Sequence, residues 1–166
     1  MYRGSYVHSL DSAGRVTLPK AVRSQIGLKF YIAKGVGCLC VFDEAWKNEL
    51  ERQLTKMGTP LQQLLNPDVA RLNRHFFSGM QEVGIDGQNR VQLSPEHRRY
   101  AGITDEVVIC GCGQYVEMWE PEALALYWRT QGRVEDLVAS GVELLPRKSE
   151  QAPIENDDDV PQAGPD

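Results

Sequence analysis

Apolar residues recur along this chain in two rhythms, and the rhythms return in the same order. Alternation at period two marks a strand at about Tyr6 to Leu10 and another over Arg15-Val16-Thr17-Leu18, with the polar turn Asp11 to Gly14 between them. That pattern predicts a hairpin. Pro19 then stands where the first turn of a helix begins, and Ala21 to Ile26 runs to the helix-ending Gly27. A second hairpin, Phe30 to Ala33 with Leu39 to Phe42, closes around Gly35 and Gly37, so the unit reads β-β-α-β-β.

The unit occurs twice. Leu10-Asp11-Ser12-Ala13-Gly14-Arg15-Val16-Thr17-Leu18 aligns with Ile85-Asp86-Gly87-Gln88-Asn89-Arg90-Val91-Gln92-Leu93, the offset from Asp11 to Asp86 being 75 residues. The register holds through Arg23 and Arg98 to Gly27 and Gly102. Two extra residues near Thr104-Asp105 then move it to 77, after which Ile32 matches Ile109, Val41 matches Met118 and Phe42 matches Trp119. A repeat at this spacing means one supersecondary unit used twice.

Each unit leads into a helical stretch. Asp43 is placed to cap Glu44 to Met57, in which Trp46, Leu50 and Leu54 share one face; Glu120-Pro121 opens the counterpart, with Leu124, Tyr127 and Trp128 expected on its inner face. Gly58-Thr59-Pro60 and Asn66-Pro67 bracket a further helix towards Phe76-Phe77, a pair expected to pack between the halves. The expected organisation is a first half plus helix over 1–57, a helical linker over 58–77, a second half plus helix over 78–149 and a tail over 150–166. The tail is rich in Pro, Asp and Gln and should be disordered.

Composition changes this picture in two places. The formal charge of −5 argues against a polyanionic partner, but six acids and no base fall from Glu150 onward, so the rest of the chain is close to neutral. Within residues 1–40, Arg3, Arg15, Lys20, Arg23, Lys29 and Lys34 stand against Asp11 alone, a local +5 that suits nucleic acid. Residues 78–119 carry −3. No stretch approaches the ~20 apolar residues of a membrane span, and the N-terminus lacks an apolar signal core, so a cytoplasmic protein is expected.

The candidate chemistry is sparse. Cys38-x-Cys40 and Cys110-x-Cys112 offer four thiols, yet their spacing is tighter than the usual zinc knuckle, and i, i+2 cysteines on a strand also serve as small apolar side chains. No metal site, cofactor or catalytic group is assigned on this ground. His8, His75 and His97 have no ligand spacing, and neither a nucleophile elbow nor a phosphate-cradling loop is present, which argues against an enzyme and against a small-molecule substrate. The repeated Asp-x-x-x-Arg remains. Asp11 and Asp86 can accept backbone N–H groups within their turns, Gly14 and Asn89 take the position that needs positive φ, and Arg15 and Arg90 either pair back onto the Asp or reach outward.

The run Tyr2-Arg3-Gly4-x-Tyr6-x-His8-Ser9-Leu10-Asp11-x-x-Gly14-Arg15-Val16-Thr17-Leu18-Pro19, followed by Arg74-x-Phe76-Phe77-Ser78-Gly79, resembles the MraZ family. The resemblance covers about residues 1–130. It implies a mixed α/β, mostly β fold in which two swapped-hairpin, AbrB-like halves form a pseudo-two-fold barrel. It further implies a nucleoid-associated transcription regulator, a ring-like homo-oligomer on double-stranded promoter DNA with short direct repeats before the division and cell-wall gene cluster, with an AbrB-like antitoxin or interaction scaffold as the alternative. The family's DNA-facing turns carry over to Asp11, Arg15, Asp86 and Arg90; the basic block adds Arg3, Lys20, Arg23 and Lys34 as candidate contacts. Three features depart from the family pattern: Ala13 where many members have Lys, Ser94-Pro95 in place of Pro19-Lys20, and the acidic tail. On the charge difference between the copies, Arg15 is expected to matter more for DNA than Arg90.

Overall fold

A computed structural model describes residues 1–132 and 134–139. The acidic tail expected to be disordered lies outside the described residues. Residues 1–130 form one compact unit, and a second unit beginning at Gln131 contributes the short helix Val134–Ala139.

The first unit carries β1 (Ser5–Ser9), β2 (Arg15–Thr17), α1 (Lys20–Ile26), β3 (Lys29–Lys34), β4 (Leu39–Phe42) and α2 (Glu44–Thr55) from the first copy. After α3 (Pro60–Leu65) and α4 (Pro67–Phe77), the second copy supplies β5 (Gln81–Gly84), β6 (Arg90–Gln92), α5 (Pro95–Ala101), β7 (Glu106–Gly111), β8 (Val116–Trp119) and α6 (Pro121–Thr130). Asp43 caps α2 as expected, accepting from the Trp46 N–H. Thr59 and Gln62 close a capping box on α3, and Asn66 caps α4 ahead of Pro67.

The first strand pair does not stay together. β1 leaves β2 after the turn and pairs antiparallel with β7 of the second copy, Tyr6 facing Ile109. β5 makes the equivalent exchange with β3, Ile32 facing Gln81. Only the Leu10–Val16 bridge survives of the local hairpin expected from alternation. The reason is burial: Val16 and Leu18 are fully enclosed, and β2 finds its apolar partner in β6, where Val16 faces Val91. Two antiparallel sheets result, a six-stranded one in the order β1-β7-β8-β4-β3-β5 and the ribbon β2-β6. Among the described residues these strands do not close into a barrel.

The registers describe a pseudo-two-fold axis. Val16 faces its own repeat mate Val91, and Cys40 in β4 faces its mate Glu117 in β8. One core lies between the sheets, drawn from both copies: Leu18, Phe30, Ile32, Leu39 and Val41 with Leu93, Val107, Ile109, Val116 and Met118. His97 occupies the place of Val22 in this core, and its Nε2–H donates to the Gly79 carbonyl at 2.6 Å. Two expectations about the periphery fail. Phe77 is exposed and Phe76 only half-buried, and Trp128 of α6 faces outward, while Leu124 packs inward and the Tyr127 ring lies 5.1 Å from that of Trp119, because α6 covers the Cys38–Val108–Trp119 cluster.

Equivalence in the core is testable. Leu18 and Leu93 are repeat mates, 1% and 0% exposed. Leu18→Ala and Leu93→Ala should each cost ~2–5 kcal/mol by chemical denaturation and differ little from one another. A loss confined to one of them would contradict a shared symmetric core.

Candidate nucleic-acid interface

Each copy builds its turn from the same few atoms. In the first, the Asp11 carbonyl accepts from the Gly14 N–H at 2.8 Å, and Asp11 Oδ1 accepts from the Ala13 and Arg15 N–H groups at 3.0 and 2.9 Å. In the second, the Asp86 carbonyl accepts from Asn89 at 2.9 Å, and Asp86 Oδ1 from Gln88 and Arg90, both at 2.9 Å. Gly14 and Asn89 hold φ of 78° and 62°, the left-handed conformation that those two residue types tolerate best. Asp is needed because its short carboxylate spans the turn while leaving a second oxygen for the Arg.

The β2-β6 ribbon sets the two turns side by side. Leu18 N–H donates to the Asn89 carbonyl and Leu93 N–H to the Gly14 carbonyl, each at 3.0 Å. The arginines then differ. Arg15 Nε donates to Asp11 Oδ2 at 2.7 Å, whereas Arg90 is held by Asp86 at 2.9 Å from Nε and 2.8 Å from Nη2 and crosses to Asp11 through Nη1 at 3.4 Å. The Arg15 side chain is 37% exposed and the Arg90 side chain 22%. Arg15 therefore presents the freer guanidinium edge, and Arg90 ties the turns together.

A second pair of arginines crosses between the copies. Arg23 of α1 donates from Nη1 to Asn89 Oδ1 at 2.8 Å, and its mate Arg98 of α5 lies over Gly14, so close that a Cβ there would stand 2.9 Å from the guanidinium carbon. The Nε of both is enclosed without an acceptor. Lys20 and Arg23 also line an open cleft of ≈390 Å³ with Asp86 and Asn89. Asp11, Arg15, Lys20, Arg23, Asp86 and Arg90 thus converge. Arg98 joins them although the basic-block reading passed over it; its repeat equivalence to Arg23 was the available signal.

Arg3 and Lys34 do not converge with them. Arg3 precedes β1, whose other end leads into the Asp11 turn, and strand rise alone separates them by roughly 20 Å. Lys34 ends β3, whose beginning lies beside the second turn; it pairs with Glu96 at 2.6 Å and sits over the Tyr100 ring. The +5 block is therefore not one face, since strand exchange places acids of the second copy among bases of the first: Lys29 meets Glu82, and Leu10 N–H donates to the Asp105 carbonyl beside the turn.

The family pattern can now be placed on this geometry. The sequence model of the family described as "MraZ protein, putative antitoxin-like" matches residues 1–63 and 76–133. The chain belongs to the MraZ family. Among its relatives, the "Transcriptional regulator MraZ" of Syntrophomonas wolfei is 35% identical over 146 residues, covering 87% of this chain and 99% of the relative. The protein of that name from Acetivibrio thermocellus is 33% identical over 147 residues, with the same coverage of both chains. That of Moorella thermoacetica is 34% identical over 130 residues, 78% of this chain and 87% of the relative. The two segments matched by the family model take in both turns and the strands that carry them.

The turn carboxylates are tuned by the same contacts. The Arg90 guanidinium, then the Arg90 and Gln88 N–H groups, hold the Asp86 carboxyl down at about 2, and the Arg15 N–H followed by its guanidinium lowers that of Asp11. Because the folded value lies below the ~4 of an unfolded Asp, the contribution is complete above that range and disappears as pH falls through about 2. Denaturation followed from pH 5 to pH 2 should show wild type losing stability faster than Asp86→Asn. Parallel curves would remove the ion-paired turn from the account.

Proposed function

We propose that the chain is a sequence-specific, DNA-binding transcription regulator that presents the paired Asp-x-x-x-Arg turns to double-stranded promoter DNA. The observation that carries this reading is the β2-β6 ribbon, which brings Arg15, Arg90, Arg23 and Arg98 to one place. A two-stranded ribbon fits the ~12 Å major groove, and a guanidinium edge can pair bidentately with guanine or with phosphate. The reading rests on this placement rather than on net charge, and the names of the relatives agree with it.

The same reading extends to assembly. Among the exposed apolar residues, two groups of three stand on separate helices, Leu61, Leu64 and Leu65 on α3 and Leu126, Tyr127 and Trp128 on α6. α6 lies against β7 whereas α4, to which α3 is joined, lies against β3, on the other side of the pseudo-two-fold. Two unlike patches on one chain suit a head-to-tail contact that closes into a ring, and a ring would engage several short direct repeats at once. We place the protein accordingly at the nucleoid, acting before the division and cell-wall genes. Among the described residues no helix is long and apolar enough to cross a membrane. The antitoxin-like wording of the family description favours a second reading, in which the fold holds a protein partner.

A salt titration of binding to a repeat-containing upstream fragment separates these. If Arg15 contacts phosphate, Arg15→Ala should lower the salt slope by about 0.9 per engaged subunit; if it reads guanine, the loss should be ~1–3 kcal/mol per site with relaxed specificity. Arg90→Ala should lose less, since its guanidinium is already committed to two carboxylates. Light scattering on the same samples should give a mass of several chains. Equal losses would show both turns contacting DNA alike, a dominant Arg90 effect would reverse the assignment, and absence of DNA binding would favour the protein-partner reading.

A further inference from the structure

We propose that the outer face of the six-stranded sheet, where the two copies meet, binds a zinc-type divalent cation through the Cys38 and Cys40 thiolates and the Glu117 carboxylate. Sequence spacing set zinc aside because neither Cys-x-Cys pair is a knuckle. The fold supplies what the spacing lacks. Cys40 in β4 faces Glu117 in β8, which in turn faces Cys110 in β7, so thiol, carboxylate and thiol stand abreast on three neighbouring strands. Cys38, just before β4, lies two residues from Cys40, and the ligand atoms of Cys38, Cys40 and Glu117 all fall within 4.8 Å of one another. Ligands of a tetrahedral zinc with bonds of about 2.3 Å to sulfur stand about 3.8 Å apart, so closure asks for about 1 Å of side-chain movement.

The surroundings favour a bound ion over simple apolar packing. Glu117 brings a carboxylate against two thiols, which apolar filling does not require. Its oxygens are already oriented by donors, Trp119 Nε1–H at 2.8 Å and Tyr115 OH at 3.3 Å, the arrangement that fixes a metal-binding carboxylate. Gly35 lies directly over both sulfurs: a Cβ there would come 2.7 Å from Cys40 Sγ and 2.9 Å from Cys38 Sγ, so any other residue would fill the space they share. The Gly35 carbonyl is fixed from outside by His75 and Tyr100. Cys38 is buried in one cluster with Trp119, while Cys112, just beyond β7, is exposed. Two thiolates with a carboxylate select zinc over magnesium or calcium, and each thiol would release its proton to solvent as its metal–sulfur bond forms. The ion would join β4 of one copy to β8 of the other. This inference does not depend on DNA binding.

The full chain, stripped with chelator and kept reduced, is titrated with Co²⁺. One ion per chain should bind, with sulfur-to-cobalt charge-transfer absorption in the near ultraviolet, and Zn²⁺ should displace it. The band should vanish in Cys38→Ala/Cys40→Ala, whose small side chains preserve packing and whose fold is checked by circular dichroism. Glu117→Gln should retain the band but bind at least about tenfold more weakly. Cobalt bound by the wild-type chain without that band, or no cobalt bound at all, overturns the site whether or not the double variant folds. A band that persists in a folded double variant does the same.

Discussion

The pairing of β2 with β6 is the constraint on which the rest depends. Three residues on each side, centred on Val16 facing Val91, bury the strands that each local hairpin would otherwise keep for itself. Once β2 is committed to β6, β1 has no partner in its own copy and must add to β7, and β5 must add to β3. The six-stranded sheet, the shared core and the adjacency of the two turns all follow from that exchange. A chain carrying both copies avoids the translational cost of recruiting a second chain, so a ribbon of only three residues a side suffices.

The same exchange explains what could be read from the sequence. The turn chemistry at Asp11 and Asp86, the β3-β4 hairpin and the Asp43 cap are local signals, set by residues within a few positions of one another, and each appears in the structure, as does the repeat, which alignment of the chain with itself reveals. Strand exchange is not local. Period-two alternation says that Tyr6 to Leu10 is a strand without saying which strand it joins, and nearness in sequence suggested the wrong neighbour. Charge counted by sequence block failed for a related reason: interleaved copies mix the basic first copy with the acidic second, and Arg3 and Lys34 lie at the ends of β1 and β3 that face away from the turns those strands adjoin. Arg98 was visible only through its equivalence to Arg23.

Pseudo-symmetry also separates roles within equivalent pairs. Arg15 and Arg90 occupy matching positions, yet Arg90 spends its fork on both carboxylates while Arg15 uses one nitrogen on its own Asp. Val22 and His97 match, yet one is a core aliphatic and the other donates to a backbone carbonyl. Cys40 and Glu117 match and face each other, which lets unlike ligands meet at a single point on the axis. In each case the fold requires only that the pair be compatible, and the difference between its members is available for function.

The central claim is that the paired turns, not the strand ends that carry Arg3 and Lys34, meet DNA. Hydrogen exchange of the full chain with and without the upstream fragment addresses it directly. Slowed exchange should appear together in residues 11–18 and 86–93, with the amides around Arg3 and Lys34 unchanged. Protection confined to the amides around Arg3 and Lys34, with both turns exchanging as in the free protein, would contradict the account.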